Sequence, residues 1–167
     1  MKRSFILGAA LLSCSLLAGC SSETHEGLIS DTITLIEQAG SDVSTIKNQV
    51  NDAVKKLEDG KAKTLELKDA VKAADALKKT GEKAQEIKRR IEYAREKVTD
   101  EERKIYANHQ KSRLNDAFKN LLKLREELRK SLDAAEKTSG ENYKTAVNDL
   151  RKKIEDAQSP FESLSRQ

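Results

Sequence analysis

The chain has 167 residues, of which 36% are charged and 4% aromatic, and it contains no tryptophan. So few bulky residues argue against a compact globule, whereas abundant Ala, Glu, Lys, Leu and Arg is typical of long helices and coiled coils. Its 32 basic residues nearly balance its 28 acidic ones, which argues against a nucleic-acid partner.

The N-terminus carries a short apolar segment behind a positively charged start. Residues 1–3 include Lys2 and Arg3, and residues 5–18 are almost wholly apolar or small. A spanning helix needs about 20 apolar residues, so this shorter run predicts a signal peptide. It ends in Leu17-Ala18-Gly19-Cys20, where small residues fit a protease groove and a thiol accepts lipid. This run resembles the lipobox of bacterial lipoproteins, and the resemblance implies a cleaved segment 1–19 and a lipidated tether 20–27, followed by a helical body 28–167.

The first two heptad runs predict two amphipathic helices. Apolar residues recur every seven positions, and others fill in at intervals of three or four. The first run ends before Gly60, which predicts a helix stop. In the second run Gly81 costs about 1 kcal/mol relative to Ala, and a kink or break there is the alternative to a continuous helix. The heptad positions are Ile29, Ile36, Val43, Val50 and Leu57, then Ala70, Leu77, Ala84, Ile91 and Val98.

Two further runs predict a third helix and a shorter fourth one. Thr99 and Glu102 fit the capping-box pattern, and the heptad spacing of the apolar residues shifts at the same point. Together these two signals predict a helix start near Thr99. Gly140 is expected to end the third helix. Ser159-Pro160 is expected to cut the fourth helix near its end, with Pro160 opening a last short turn. The fourth seam is Tyr143, Val147, Leu150, Ile154, Ala157, Phe161 and Leu164.

These runs predict an all-α protein, an elongated antiparallel bundle or coiled coil of three long helices plus a shorter C-terminal helix. Short glycine-bearing turns favour hairpins within one chain. Because the seams are narrow and rich in alanine, a homo-oligomeric coiled coil is the alternative. Acid–base pairs four residues apart are expected to support the helices: Asp52/Lys56, Glu86/Arg90, Asp100/Lys104, Glu126/Lys130, Asp133/Lys137 and Asp149/Lys153.

No catalytic, metal or cofactor motif accompanies these helices. His25 and His109 have no Cys or second His at ligand spacing, and Cys20 alone remains after cleavage, so neither a metal site nor a disulfide is expected. We therefore expect no enzyme activity and no cofactor. Two basic clusters could contact a polyanion, although interleaved acids favour ordinary solvated faces; they are Lys88, Arg89 and Arg90, and Arg151, Lys152 and Lys153.

Residues 1–22 resemble the leader and lipobox of bacterial lipoproteins. The resemblance implies a diacylglyceryl group on Cys20, usually with a further acyl chain, and two or more chains hold stably in a bilayer. The leader alone is also similar to that of the Braun-type outer-membrane lipoproteins of enteric bacteria. Their sorting rule implies that Ser21 favours the outer membrane in a cell with two membranes. For residues 28–167 we recognise no family.

Together these features predict a lipid-anchored helical protein of the cell envelope. We expect it to act as a spacer, scaffold or adaptor for a protein partner, with the bilayer bound through acylated Cys20. One alternative is a surface-exposed lipoprotein that binds a ligand or host factor. The other is a membrane or wall-polymer binder that uses the basic clusters.

Overall fold

The computed structural model describes residues 25–95 and 99–164, without the side chains of residues 25, 93, 95, 102–109 and 163. These ranges contain helices and no strand, which confirms the all-α prediction. The helices are α1 (His25–Glu58), α2 (Lys68–Arg95), α3 (Asp100–Ser139) and α4 (Glu141–Leu164). The first begins inside the range predicted as a tether, and the predicted tether residues 20–24 lie outside the described residues.

Glycines end two of the helices as predicted. Gly60 has φ of +68°, a backbone conformation that glycine adopts without the steric cost of a Cβ. Its N–H donates to the Leu57 carbonyl over 3.1 Å, and the N–H of Lys61 donates to the Lys56 carbonyl over 2.9 Å. These are the two bonds of a Schellman motif, and they satisfy carbonyls that the end of α1 would leave unpaired. Gly140, also at φ +68°, separates α3 from α4.

The predicted start of the third helix is also confirmed, because α3 begins at Asp100, directly after Thr99. Gly81 does not break α2, which runs without interruption from Lys68 to Arg95. Space explains why a glycine occupies this position. A Cβ on Gly81 would lie 2.7 Å from the carbonyl oxygen of Ala157 and 3.3 Å from Cγ of Pro160, so α4 packs on the bare backbone of α2.

The predicted cut at Ser159-Pro160 is wrong, since α4 continues through Pro160 to Leu164. Proline removes one helical hydrogen bond and costs about 3 kcal/mol inside a helix. Phe161 and Leu164, which follow it, are only 2% and 3% exposed. Burying each such side chain contributes about 1.5–3 kcal/mol, so their burial offsets the proline and keeps the chain helical.

Four helix pairs make the main contacts: α1 with α2, α1 with α3, α2 with α4, and α3 with α4. Within the hairpins the chains run antiparallel, because residue numbers fall on one helix as they rise on the other. Asp42 of α1 contacts Thr80 of α2 and Leu28 packs on its last turns, while Asp133 and Arg125 of α3 bind Arg151 and Glu162 of α4. The helices therefore pack in the cycle α1–α2–α4–α3, with α2 and α3 on opposite corners.

The two remaining pairs are parallel, because contacting residue numbers rise together. Lys47 of α1 binds Glu127 of α3, and further along Glu58 of α1 accepts a hydrogen bond from Thr138 of α3. Between α2 and α4, Lys153 binds Asp75. Six residues further along α2, Gly81 packs against Ala157 of α4. The predicted antiparallel arrangement therefore holds for the pairs that direct chain connection joins, and it is wrong for α1–α3 and α2–α4, which packing alone joins.

The predicted seams supply the core. One hydrophobic cluster takes residues from all four helices, and a smaller one joins Leu28 to the last turns of α2. In α1 the heptad residues Ile36, Val43 and Val50 are fully buried. In α4 the buried seam consists of Val147, Leu150, Ile154, Ala157, Phe161 and Leu164.

Candidate functional site

The predicted lipidation motif, Leu17 to Cys20, lies outside the described residues. The described residues begin with the helix that follows this motif: α1 starts at His25, five residues after Cys20. None of the helices in the described part of the chain is both long and apolar enough to cross a bilayer. Within the same residues no cluster of His, Cys, Asp and Glu could hold a metal ion.

The first basic cluster is balanced by acids of its own helix. The ammonium of Lys88 lies 3.8 Å from the Glu92 carboxylate, and Arg89 lies 3.9 Å from Glu86. Both pairs are largely solvent-accessible, although Lys88 is half-buried, and their partners are three or four residues apart, so each contributes only a few tenths of a kcal/mol. This arrangement is that of a solvated helix face.

The second basic cluster links helices. Arg151 binds Asp133 over 3.0 Å and Glu136 over 3.4 Å, both on α3. Lys153 binds Asp75 on α2 over 2.5 Å, whereas Lys152 is exposed. Two of its three charges are therefore neutralised by ion pairs that join α4 to its neighbours.

The two clusters do not form one basic surface. Lys153 of α4 contacts α2 at Asp75, and Arg90 lies fifteen residues further along α2. At 1.5 Å per residue this separation is about 22 Å. The structure therefore does not bring the six predicted polyanion contacts together.

A different surface, on α3, combines charge with an exposed apolar side chain. Leu122 is 58% exposed and is the exposed large hydrophobic residue of the described chain. Lys111, Lys119 and Lys123 are also exposed, and no described carboxylate lies within 4.0 Å of their ammonium groups. We call these four residues the Leu122 surface. The sequence signal for it is the pair Leu121-Leu122: neighbouring helical residues point about 100° apart, so only one of the two leucines can face the core, and Leu121 is the buried one.

Two open grooves flank α3. The groove between α1 and α3, about 600 Å³ in volume, has an apolar floor that includes Ile36 and Leu121 and a polar rim that includes Ser41, Ser44 and Asn120. The groove between α3 and α4 has a volume of about 430 Å³ and Leu122 in its lining. Gln158 also lines it; the side chain is 3% exposed and its Nε2 has no hydrogen-bond acceptor among the described residues.

Three carboxylates have pKa values lowered by ion pairs, one between helices and two within a helix. The Lys47 ammonium of α1 donates a 2.8 Å hydrogen bond to the Glu127 carboxylate of α3. This bond lowers the pKa of Glu127 below its ordinary value. Asp52 and Glu126 likewise have lowered pKa values, through hydrogen bonds from Lys56 and Arg129. All three carboxylates therefore stay ionised at neutral pH, and each is already paired with a cation.

Comparison with protein-family models, with curated proteins and with solved structures gives no match to this chain.

Proposed function

We propose that this chain is a lipid-anchored helical protein of the cell envelope that works through its surface as a spacer, scaffold or adaptor, without catalysis. The observation that carries the proposal is the run Leu17-Ala18-Gly19-Cys20 at the end of a charged and apolar leader, followed within five residues by a long helix. Cleavage before Cys20 and acylation of its thiol and amine attach the body to the bilayer. With two or more acyl chains this attachment is stable.

The helical body acts as an elongated bundle of the coiled-coil type in this proposal. Its longest helix, α3, has 40 residues, equivalent to about 60 Å of helix. The buried seams at heptad spacing in α1 and α4 support this arrangement. A body of that length holds a bound partner away from the bilayer while the anchor raises its local concentration. Ser21 favours the outer membrane where the cell has two.

Mass spectrometry of the protein isolated from its native membrane tests the anchor. We expect a mature chain that begins at Cys20 and carries the mass of a diacylglyceryl group. A chain that keeps residues 1–19, or whose Cys20 is unmodified, would refute the proposal. Replacement of Cys20 by Ala should move the protein out of the detergent-extracted membrane fraction, whereas replacement of Ser22 by Ala, two residues away, should leave it there.

A partner test follows from the adaptor role. Cross-linking in intact cells should join the native chain to a specific envelope protein, and Cys20→Ala should abolish that product because the body then leaves the membrane layer. An identical cross-linking pattern with and without Cys20 would show that anchoring does not direct the interaction.

A further inference from the structure

We propose that the Leu122 surface of α3 binds anionic phospholipid headgroups, with Leu122 entering the interfacial region and Lys111, Lys119 and Lys123 facing the phosphates. The choice of a bilayer as the occupant rests on the proposed anchor, which would keep this body beside a membrane. The interaction itself needs no acyl chain and is tested without one.

The surface exists because α4 covers only part of α3. Glu162, near the end of α4, binds Arg125 of α3 over 2.9 Å, and α4 ends two residues later at Leu164. Since the two helices run antiparallel, the part of α3 that precedes Arg125 extends past the described end of α4. Leu122 lies at this boundary and is left 58% exposed.

The three lysines lie within about 120° of one another on the side of α3 that carries Leu122. At 100° per residue, Lys111 is about 20° from Leu122, and Lys119 and Lys123 are about 60° and 100° from it on the other side. Asp116, the acidic residue of this stretch, is about 120° away and lines the groove with α1. Lys119 and Lys123 lie within one turn of Leu122, whereas Lys111 precedes it by eleven residues, about 16 Å of helix. Asp116 lies about 20° from Lys123. Glu126, one turn after Leu122, lines the same groove as Leu122, with its carboxylate paired to Arg129 over 2.8 Å.

Ion pairing distinguishes these lysines from the basic clusters that the sequence singles out. Arg151 and Lys153 are held in ion pairs to α3 and α2, and acids of α2 lie 3.8 Å from Lys88 and 3.9 Å from Arg89, so carboxylates reduce the positive charge that both clusters present to a phosphate. Lys111, Lys119 and Lys123 have no such partner among the described residues. An exposed apolar side chain beside cations that have no carboxylate within 4.0 Å matches a bilayer interface, where acyl chains lie beneath a layer of phosphates.

Vesicle flotation tests the proposal with the full chain carrying Cys20→Ser, so that no acyl group is attached. Vesicles of phosphatidylglycerol and phosphatidylcholine are compared with vesicles of phosphatidylcholine alone, which report any binding through the apolar residues 5–18. We expect stronger binding to the anionic vesicles, and weaker binding as salt is added, since salt screens exposed charges.

Two variants assign this binding to the surface. The double variant Lys119→Glu, Lys123→Glu should weaken binding to anionic vesicles by about 25-fold or more, on the basis of about fivefold for each lysine charge. Leu122→Ser should weaken it by about tenfold. The matched control is Lys78→Glu, Lys79→Glu, which changes two exposed lysines of α2 by the same charge and should retain more of the binding than the α3 variant.

Equal binding to both kinds of vesicle would overturn the proposal and leave the Leu122 surface to a protein partner. So would equal losses in the α2 and α3 double variants, because the binding would then reflect net charge alone. The side chains replaced in α2 and α3 are all exposed, so circular dichroism should show helix content unchanged from that of the Cys20→Ser chain. Failure here leaves the lipidation of Cys20 untouched, since mass spectrometry tests that separately.

Discussion

At Gly81, the addition of one methyl group should disturb the packing of α2 against α4. Gly81→Ala would place a Cβ 2.7 Å from a backbone oxygen of α4, and backbone cannot move aside as a side-chain tip can. Alanine would otherwise favour the helix by about 1 kcal/mol, but overpacking of this kind costs about 1–3 kcal/mol. We expect a lower free energy of unfolding in urea, by about 1 kcal/mol or more.

Gly40 provides the matched control for that prediction. It also lies inside a helix, but its added Cβ would meet Cδ1 of Leu124 at 3.3 Å, the flexible end of a side chain. Gly40→Ala should therefore leave the free energy of unfolding unchanged or slightly raised. If both alanine variants were equally destabilised, close contact with the α4 backbone would not be the reason for Gly81.

The ion pair between Lys47 and Glu127 should make stability depend on pH. The hydrogen bond from Lys47 lowers the pKa of Glu127 from its ordinary value of 4.5. A lowered carboxylate pKa stabilises the fold above the unfolded-state value, and this contribution is lost as the pH falls through the folded-state value. Glu127→Gln should therefore lower the free energy of unfolding at neutral pH, and its difference from wild type should shrink below pH 4.5.

Urea titrations at several pH values measure this difference. Glu155→Gln serves as the control, because no described lysine or arginine nitrogen lies within 4.0 Å of that exposed carboxylate. Subtracting its difference from wild type at each pH isolates the part of the Glu127→Gln effect that is due to the ion pair. A Glu127→Gln difference that does not change between neutral and acidic pH would show that the pair does not stabilise the fold.

At the scale of the helix, the Schellman motif at the end of α1 allows a prediction about what the terminating glycine contributes to stability. At Gly60 an added Cβ would meet no atom within 4 Å, so Gly60→Ala changes only the backbone preference at φ +68°. This preference is worth about 1–2 kcal/mol, and asparagine tolerates the left-handed region better than alanine. We expect Gly60→Ala to lower the free energy of unfolding by about 1 kcal/mol and Gly60→Asn to lower it less. Equal losses would point to a different cause.

Local signals explain which helix ends could be predicted. Gly60, Thr99 and Gly140 act through the backbone of their own neighbourhood, so the sequence alone is sufficient to place those ends. At Pro160 the local signal fails, because burial of the apolar side chains that follow it decides the outcome. Gly81 is similar, since its role depends on a neighbour 76 residues away in the chain at Ala157.

Ion pairs within one helix could be predicted from the sequence, whereas those between helices could not. The predicted pairs Asp52–Lys56 and Glu126–Lys130 form within their helices. Lys153 instead binds Asp75 of α2, because spacing along one helix does not encode which helix lies beside it. The pairs of Lys88 and Arg89 follow from spacing within α2, whereas those of Arg151 and Lys153 could not be obtained without the packing.

At the scale of the whole molecule, the seams predict that the helices pack but not which pairs are parallel. The structure makes α1 and α3 parallel, with Thr138 donating a hydrogen bond to Glu58 over 3.4 Å. Glu58→Cys and Thr138→Cys, introduced together with Cys14→Ser and Cys20→Ser, should be joined by a short bismaleimide. An antiparallel pair would place residue 138 at the opposite end of α1, beyond the reach of the reagent.

The mass of that product also separates a bundle within one chain from an oligomeric coiled coil. A cross-link within one chain gives a monomer with altered gel mobility at every protein concentration, which is the expected result. Contacts between copies would give covalent dimers, and their yield would rise with concentration. The control pair, Gly27→Cys with Thr138→Cys, separates its thiols by most of the length of α1 and should give neither product, because 31 residues of helix span about 46 Å.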